Sequence, residues 1–167
     1  DRIDFKVDPV TKIDIQDNTI TTESGNIHEY DYLVIATGSR IRPDLIPGMK
    51  ESAHWFYDLD GARRLREALE DFKGGRVVIN VNAPHKCPVA PVEVTFMMHS
   101  YLKERGLLEK SEITYTYPIG RLHGIEPVSN WLEPEFESLG IRSETFFNTK
   151  EIVPSTRSIE TEEGASL

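Results

Sequence analysis

Apolar residues recur at every second position in the first third of the chain and at every third or fourth position in the middle, and this change of period divides the sequence. Ile3, Phe5 and Val7 alternate ahead of an Asp8-Pro9 turn, and Ile13, Ile15 and Ile20 continue the alternation. A second turn at Ser24-Gly25-Asn26 is followed by Ile27 and by the run Tyr30-Asp31-Tyr32-Leu33-Val34-Ile35, which leads into Ala36-Thr37-Gly38-Ser39. Residues 1 to 36 therefore predict a β meander that ends in a buried strand. Arg40 to Met49, with Pro43, Pro47 and Gly48, predict an irregular hinge between domains. The expected division is residues 1–45 and 46–167.

From Asp58 the period lengthens. Leu59, Ala62, Leu65, Leu69 and Phe72 lie three or four apart, with Arg63, Arg64, Glu67 and Glu70 between them, and Gly74-Gly75 marks the stop of an amphipathic helix. The β-branched run Arg76-Val77-Val78-Ile79-Asn80-Val81 predicts a buried strand. A helix follows: Pro91 suits its first residue, where a missing N–H is no loss, and Val92, Thr95, Phe96, Met98, His99 and Tyr101 keep helical spacing as far as Gly106. Met97 and Met98 are expected in the core. Glu112 to Tyr117 predict the second parallel strand of a βαβ unit. Trp131 to Gly140 predict a further helix starting near Pro134, and residues 141 to 163 alternate again as a closing antiparallel meander.

The chemistry concentrates in the turn between the central strand and helix. A βα turn of this kind holds a pyrophosphate when glycines let the backbone approach closely and an acidic residue about 20 residues on receives the ribose. Residues 82 to 93 contain no glycine, three prolines and the chain's lone cysteine, Cys87, and Tyr117-Pro118 stands where the acid belongs. The unit is thus not expected to hold NAD in the usual way. The prolines instead fix the direction of Cys87, and a thiolate there is favoured by the helix amino end and by Lys86 and His85. A lone cysteine is otherwise a small buried apolar residue, and the proline-bounded turn at the ligand-binding edge of an α/β sheet argues for a functional thiol. Glu93 falls in the first turn of the same helix, where it serves the helix dipole or the chemistry, and His123 stands in a loop past the second strand, facing the same crevice or solvent.

Composition narrows the functional classes. A net charge of −9, spread along 167 residues, gives a nucleic-acid backbone nothing to hold. No apolar run reaches the ~18 residues of a membrane span, so the piece is expected to be soluble. No Cys/His cluster has the spacing of a metal site. A sequence that begins at Asp1 is expected to be an internal segment of a longer protein.

Tyr30 to Gly38, preceded by a hairpin with Thr22 and Gly25, resembles the second flavin-proximal motif of the pyridine nucleotide-disulfide oxidoreductase superfamily. Within that superfamily Pro84-x-x-Cys87-Pro88-x-x-Pro91-x-Glu93 is similar to the sulfide:quinone oxidoreductase and flavocytochrome c sulfide dehydrogenase branch. The resemblance implies an α/β chain: part of an FAD-domain β meander, then an inserted Rossmann-like domain of degenerate NAD(P) type, with a parallel sheet, flanking helices and a three-stranded antiparallel meander. It implies a flavoprotein that oxidises sulfide, passes two electrons to FAD and reduces a membrane quinone from the membrane surface, on its cytoplasmic face. Cys87 would be the redox cysteine, Ala36, Thr37 and Gly38 would lie along FAD, Glu93 would handle protons for sulfide or quinone, and His123 would join the catalytic site by its position. An NAD(P)H-dependent member such as a type II NADH dehydrogenase is the alternative, and a noncatalytic assembly domain a third reading.

Overall fold

The structure, a computed structural model, describes residues 3–85 and 87–167. Two compact units divide at Ser39 and Arg40.

The first unit is a three-stranded antiparallel sheet in the order β1 (Val10–Asp14), β2 (Thr19–Thr22), β3 (Ile27–Glu29). Asp14 makes its first turn by accepting hydrogen bonds from the main-chain N–H groups of Gln16 and Asp17, at 3.1 and 3.3 Å. The Asp8 carboxylate accepts from the N–H and hydroxyl of Ser24 at the second turn. Two expected strands do not form. Residues 3–7 and 31–40 carry no regular structure, and Phe5, Val7, Tyr32 and Val34 are exposed. Alternation marks a strand only where a neighbouring strand completes the ladder, and among the described residues neither segment has one.

The second unit holds the α/β layer. Its sheet is parallel throughout, with β4 (Gly75–Asn80), β5 (Ser111–Thr116) and β6 (Arg142–Glu144) in that order. The helix α2 (Leu59–Asp71) precedes β4 and starts where Asp58 accepts a hydrogen bond from the Gly61 N–H at 2.6 Å. Between β4 and β5 runs α3 (Ala90–Glu104), whose buried face is Pro91, Val92, Thr95, Met98 and Leu102. Between β5 and β6 runs α4 (Glu126–Ser138), burying Ser129, Leu132 and Phe136. Phe136 packs against Phe96 and Tyr115 at ring separations of 5.4 and 5.2 Å, which places the centre of the core between α3, α4 and β5.

Four local expectations are corrected. The segment after Arg40 is not wholly irregular: Pro43–Leu45 forms a 3-10 turn and α1 (Met49–Ser52) a single helical turn, each begun where backbone geometry permits, by Pro43 and by left-handed Gly48. The helix containing Pro134 begins eight residues before it, at Glu126, because Pro127 starts the first turn and Pro134 removes only one interior hydrogen bond. Met97 is exposed while Met98 is buried, since position 97 lies off the face defined by residues 91, 95, 98 and 102. Residues 142–144 join the parallel sheet, so the antiparallel element is a hairpin of β7 (Thr149–Val153) and β8 (Ser158–Thr161), extended by a bridge from Ser166 to Glu160. No helix among the described residues is long and apolar enough to cross a membrane.

Candidate functional site

The carboxyl ends of the three parallel strands define one edge of the second unit, and three loops leave from it: residues 81–89 after β4, 117–125 after β5 and 145–148 after β6. In parallel α/β sheets this is the edge where ligands sit. Polar groups are buried beside it. Thr116, fully buried, donates to the Asn80 side-chain oxygen at 2.7 Å, and the Asn80 amide donates to Thr149 Oγ1 at 2.8 Å, which ties the hairpin to the sheet.

Cys87 is a free, half-buried cysteine three residues before α3. Its main-chain carbonyl accepts a hydrogen bond from the Tyr57 hydroxyl at 3.1 Å. Burial, and then the neighbouring Cys87, push the Tyr57 hydroxyl pKa above its ordinary value. Lys86, expected to favour the thiolate, lies outside the described residues. His85 is within the turn and packs edge-on against Tyr117, ring centroids 6.0 Å apart.

His123 is buried, so of its two expected positions the solvated loop is excluded. The loop around it is fastened at four points. Tyr115 donates to the Leu122 carbonyl at 3.2 Å, the Leu122 N–H donates to Ser129 Oγ at 2.8 Å, the Gly124 N–H donates to Tyr117 Oη at 3.0 Å, and Arg121 donates to the Gly124 carbonyl at 2.8 Å. The Ile125 N–H donates to His123 Nδ1 at 3.0 Å, and an accepting Nδ1 leaves the imidazole proton on Nε2. That nitrogen is buried and has no hydrogen-bond partner among the described residues. His123 is thus a neutral, rigidly held donor, stacked on Tyr117 with ring centroids 6.4 Å apart. His85 Nδ1 and Arg121 Nε are likewise buried without a partner, on the same two loops.

The sequence-predicted residues fall into three groups. His123 and the Cys87 turn share one sheet edge and are linked through Tyr117, which touches both His85 and His123. Glu93 is in the first turn of α3 with its side chain exposed, and among the described residues no hydrogen bond or ion pair joins it to Cys87 or His123. Ala36, Thr37 and Gly38 belong to the other unit, are exposed and carry no regular structure, and no hydrogen bond among the described residues engages their main chain. Gly38 has φ +72° and open space where a Cβ would stand. The small side chains and unbonded main-chain groups of these three residues leave the backbone of this segment open.

Tyr57 and Phe146 are not legible in the sequence. Nothing local relates Tyr57 to a turn 30 residues away. Phe146 is held at φ +53° and lies over Gly120, where any Cβ would come within 2.5 Å of its ring. A bulky residue in that conformation is a backbone outlier that only tertiary packing imposes.

The pyridine nucleotide-disulphide oxidoreductase family profile matches residues 2–80. Mitochondrial sulfide:quinone oxidoreductase of Mus musculus is 26% identical over 132 residues, covering 75% of this chain and 29% of that protein. Alternative NAD(P)H-ubiquinone oxidoreductase C1 of Arabidopsis thaliana is 32% identical over 109 residues, covering 62% and 21% respectively. The crystal structure of sulfide:quinone oxidoreductase from Aquifex aeolicus superposes with a TM-score of 0.76 at 28% identity, over 96% of this chain and 39% of that one. The chain therefore spans between a fifth and two fifths of these three relatives.

Proposed function

We propose a function from the premise that this chain belongs to the pyridine nucleotide-disulphide oxidoreductase superfamily, with a mixed α/β fold and an oxidoreductase flavoenzyme's ancestry. Our reading is that it is the sulfide-handling portion of a sulfide:quinone oxidoreductase-like flavoprotein that works at a membrane surface. The observation that carries it is Cys87, half-buried in a glycine-free, proline-bounded turn at the carboxyl edge of a parallel sheet.

In this reading the Cys87 thiolate holds sulfide-derived sulfur as a persulfide. A bound FAD, along Ala36, Thr37 and Gly38, supplies the two-electron acceptor that oxidation of sulfide to the sulfane level requires, and a quinone is the final acceptor. His123 presents Nε2–H as a fixed hydrogen-bond donor at the same edge, and its neutral tautomer favours an anionic or carbonyl partner. Glu93, in water at the start of α3, exchanges protons with solvent.

The identity to an NAD(P)H-ubiquinone oxidoreductase supports a second reading, in which the chain takes electrons from a nicotinamide. Against it stand the missing glycines of residues 82–93, Tyr117-Pro118 at the end of β5, and Phe146 lying over Gly120 in the loop beyond. The two readings separate by anaerobic flavin absorbance of the full-length flavoprotein that carries this chain, with Cys87→Ser alongside. Sulfide bleaches the wild type, NADH does not, and Cys87→Ser is inert to sulfide. Bleaching by NADH, with a variant indistinguishable from wild type, rejects the sulfur reading in favour of the second.

A further inference from the structure

Residues 82 to 88 carry the thiol, and prolines at 84 and 88 fix two of their φ angles without attaching the turn to anything. Among the described residues, one hydrogen bond reaches this stretch: Tyr57 Oη donating to the Cys87 carbonyl at 3.1 Å. The helix that follows adds no side-chain cap, since Val89 occupies that position. The edge-on packing of His85 against Tyr117 is a second attachment of the stretch, through a ring two residues before the thiol, so among the described residues the hydrogen bond that acts on Cys87 itself is the one from Tyr57.

The residue that holds it is itself well seated. Tyr57 stacks on Phe56 with ring centroids 5.1 Å apart and planes 20° from parallel. Two residues earlier, Trp55 donates its indole N–H to Asp58 at 3.2 Å, and Arg64 lies 4.3 Å over its ring. Gly61 lets that indole sit against α2, because a Cβ there would stand 2.3 Å from it. The segment 55–58 is thereby fastened to α2, and among the described residues its hydrogen bond to the Cys87 turn is made by the tyrosine hydroxyl.

We propose that Tyr57 is the positioning residue for Cys87, its hydroxyl fixing the turn that presents the thiol. The hydrogen bond acts on the carbonyl of the same residue whose sulfur does the chemistry, so its loss acts on Cys87 directly rather than through the helix behind it. Preorganisation of this kind matters because small displacements of a reacting group cost large factors in rate. The role deepens the reading of Cys87 as a working thiol and depends on it for its purpose, while its test needs neither flavin nor sulfide.

Modification is read on the peptide that contains Cys87, so a cysteine elsewhere in a longer protein does not enter the result. Iodoacetamide modification of Cys87 is followed by peptide mass at neutral pH in the wild type, Tyr57→Phe, Tyr57→4-aminophenylalanine and Tyr101→Phe. The last is the control: Tyr101 donates to the Leu69 carbonyl at 3.0 Å between α3 and α2 and accepts from Arg105 at 2.8 Å, so its replacement removes two bonds, neither of which reaches the turn. Loss of one hydrogen bond of ordinary strength frees the turn by about three- to tenfold. Tyr57→Phe is expected to alkylate faster by that factor, the amino variant to return to the wild-type rate by restoring a donor, and Tyr101→Phe to match the wild type. A wild-type rate in Tyr57→Phe, equal acceleration in Tyr101→Phe, or failure of the amino variant to restore the rate each overturns the proposal. An overturned tether leaves the flavin-bleaching result standing, and a failure of sulfide to bleach the flavin leaves the alkylation result standing.

Discussion

Replacing Gly48 by alanine perturbs the junction between the crossover segment and the β7–β8 hairpin. Gly48 has φ +74°, and a Cβ there would lie 1.8 Å from the Ile152 carbonyl oxygen, a contact that ordinarily needs 3.4 Å or more. The hairpin must retreat by about 1.6 Å, the shortfall between those two distances, against the close packing of protein interiors. That motion is opposed by the hydrogen bond from the Ile152 N–H to the Pro47 carbonyl, 2.9 Å long. The left-handed backbone alone costs an alanine about 1 kcal/mol. Loss of the hydrogen bond adds about 1–1.5 kcal/mol, so Gly48→Ala should destabilise the unit by roughly 2–3 kcal/mol. Gly140 is the control: it has φ +68° at the end of α4, with nothing within 4 Å of the place a methyl group would take, so Gly140→Ala bears only the backbone cost of about 1 kcal/mol. Urea unfolding followed by circular dichroism compares the two. Equal destabilisation by both substitutions would refute the close approach as the cause and leave only the backbone cost.

Two further outcomes follow from burial. Phe136→Ala, which empties the ring at the centre of the core, should cost about 3–5 kcal/mol in the same unfolding assay, whereas Met97→Ala on the exposed side of α3 should stay within about 0.5 kcal/mol; a cost for Met97 comparable to that of Phe136 would contradict the helix face described above. Burial raises the Tyr115 hydroxyl pKa, and a group whose folded value lies above its unfolded value stabilises fully below the unfolded value near 10 and loses that contribution as pH climbs through the folded one. Stability should therefore fall above pH 10, and Tyr115→Phe should flatten the decline between pH 9 and 11; an unchanged slope in the variant would show that other groups govern it.

What the sequence determined by itself is the βαβ unit and the location of the thiol. The helices α2 and α3 and the strands β4 and β5 were legible because hydrophobic period, a capping Asp58 and the proline beside the start of α3 are written within a few residues of each other, and local backbone geometry responds to neighbours at that range. The glycine-free turn was legible for the same reason. Tertiary structure decided everything that depends on a partner distant in the chain. Residues 32–35 have the composition of a strand and no ladder, while residues 142–144 have the alternation of a meander and pair in parallel with β5 instead. His123 reads equally well as a surface or an interior residue, and it is the bonds of Leu122 and Gly124 to Tyr115, Tyr117 and Ser129 that hold its loop against the core, while the Ile125 N–H sets its tautomer. Tyr57 meets Cys87 only because α2 and β4 fold its segment back against the turn. A hydrogen bond between residues 30 apart leaves no periodic trace in the sequence, since its geometry is set by the packing of the elements that lie between them.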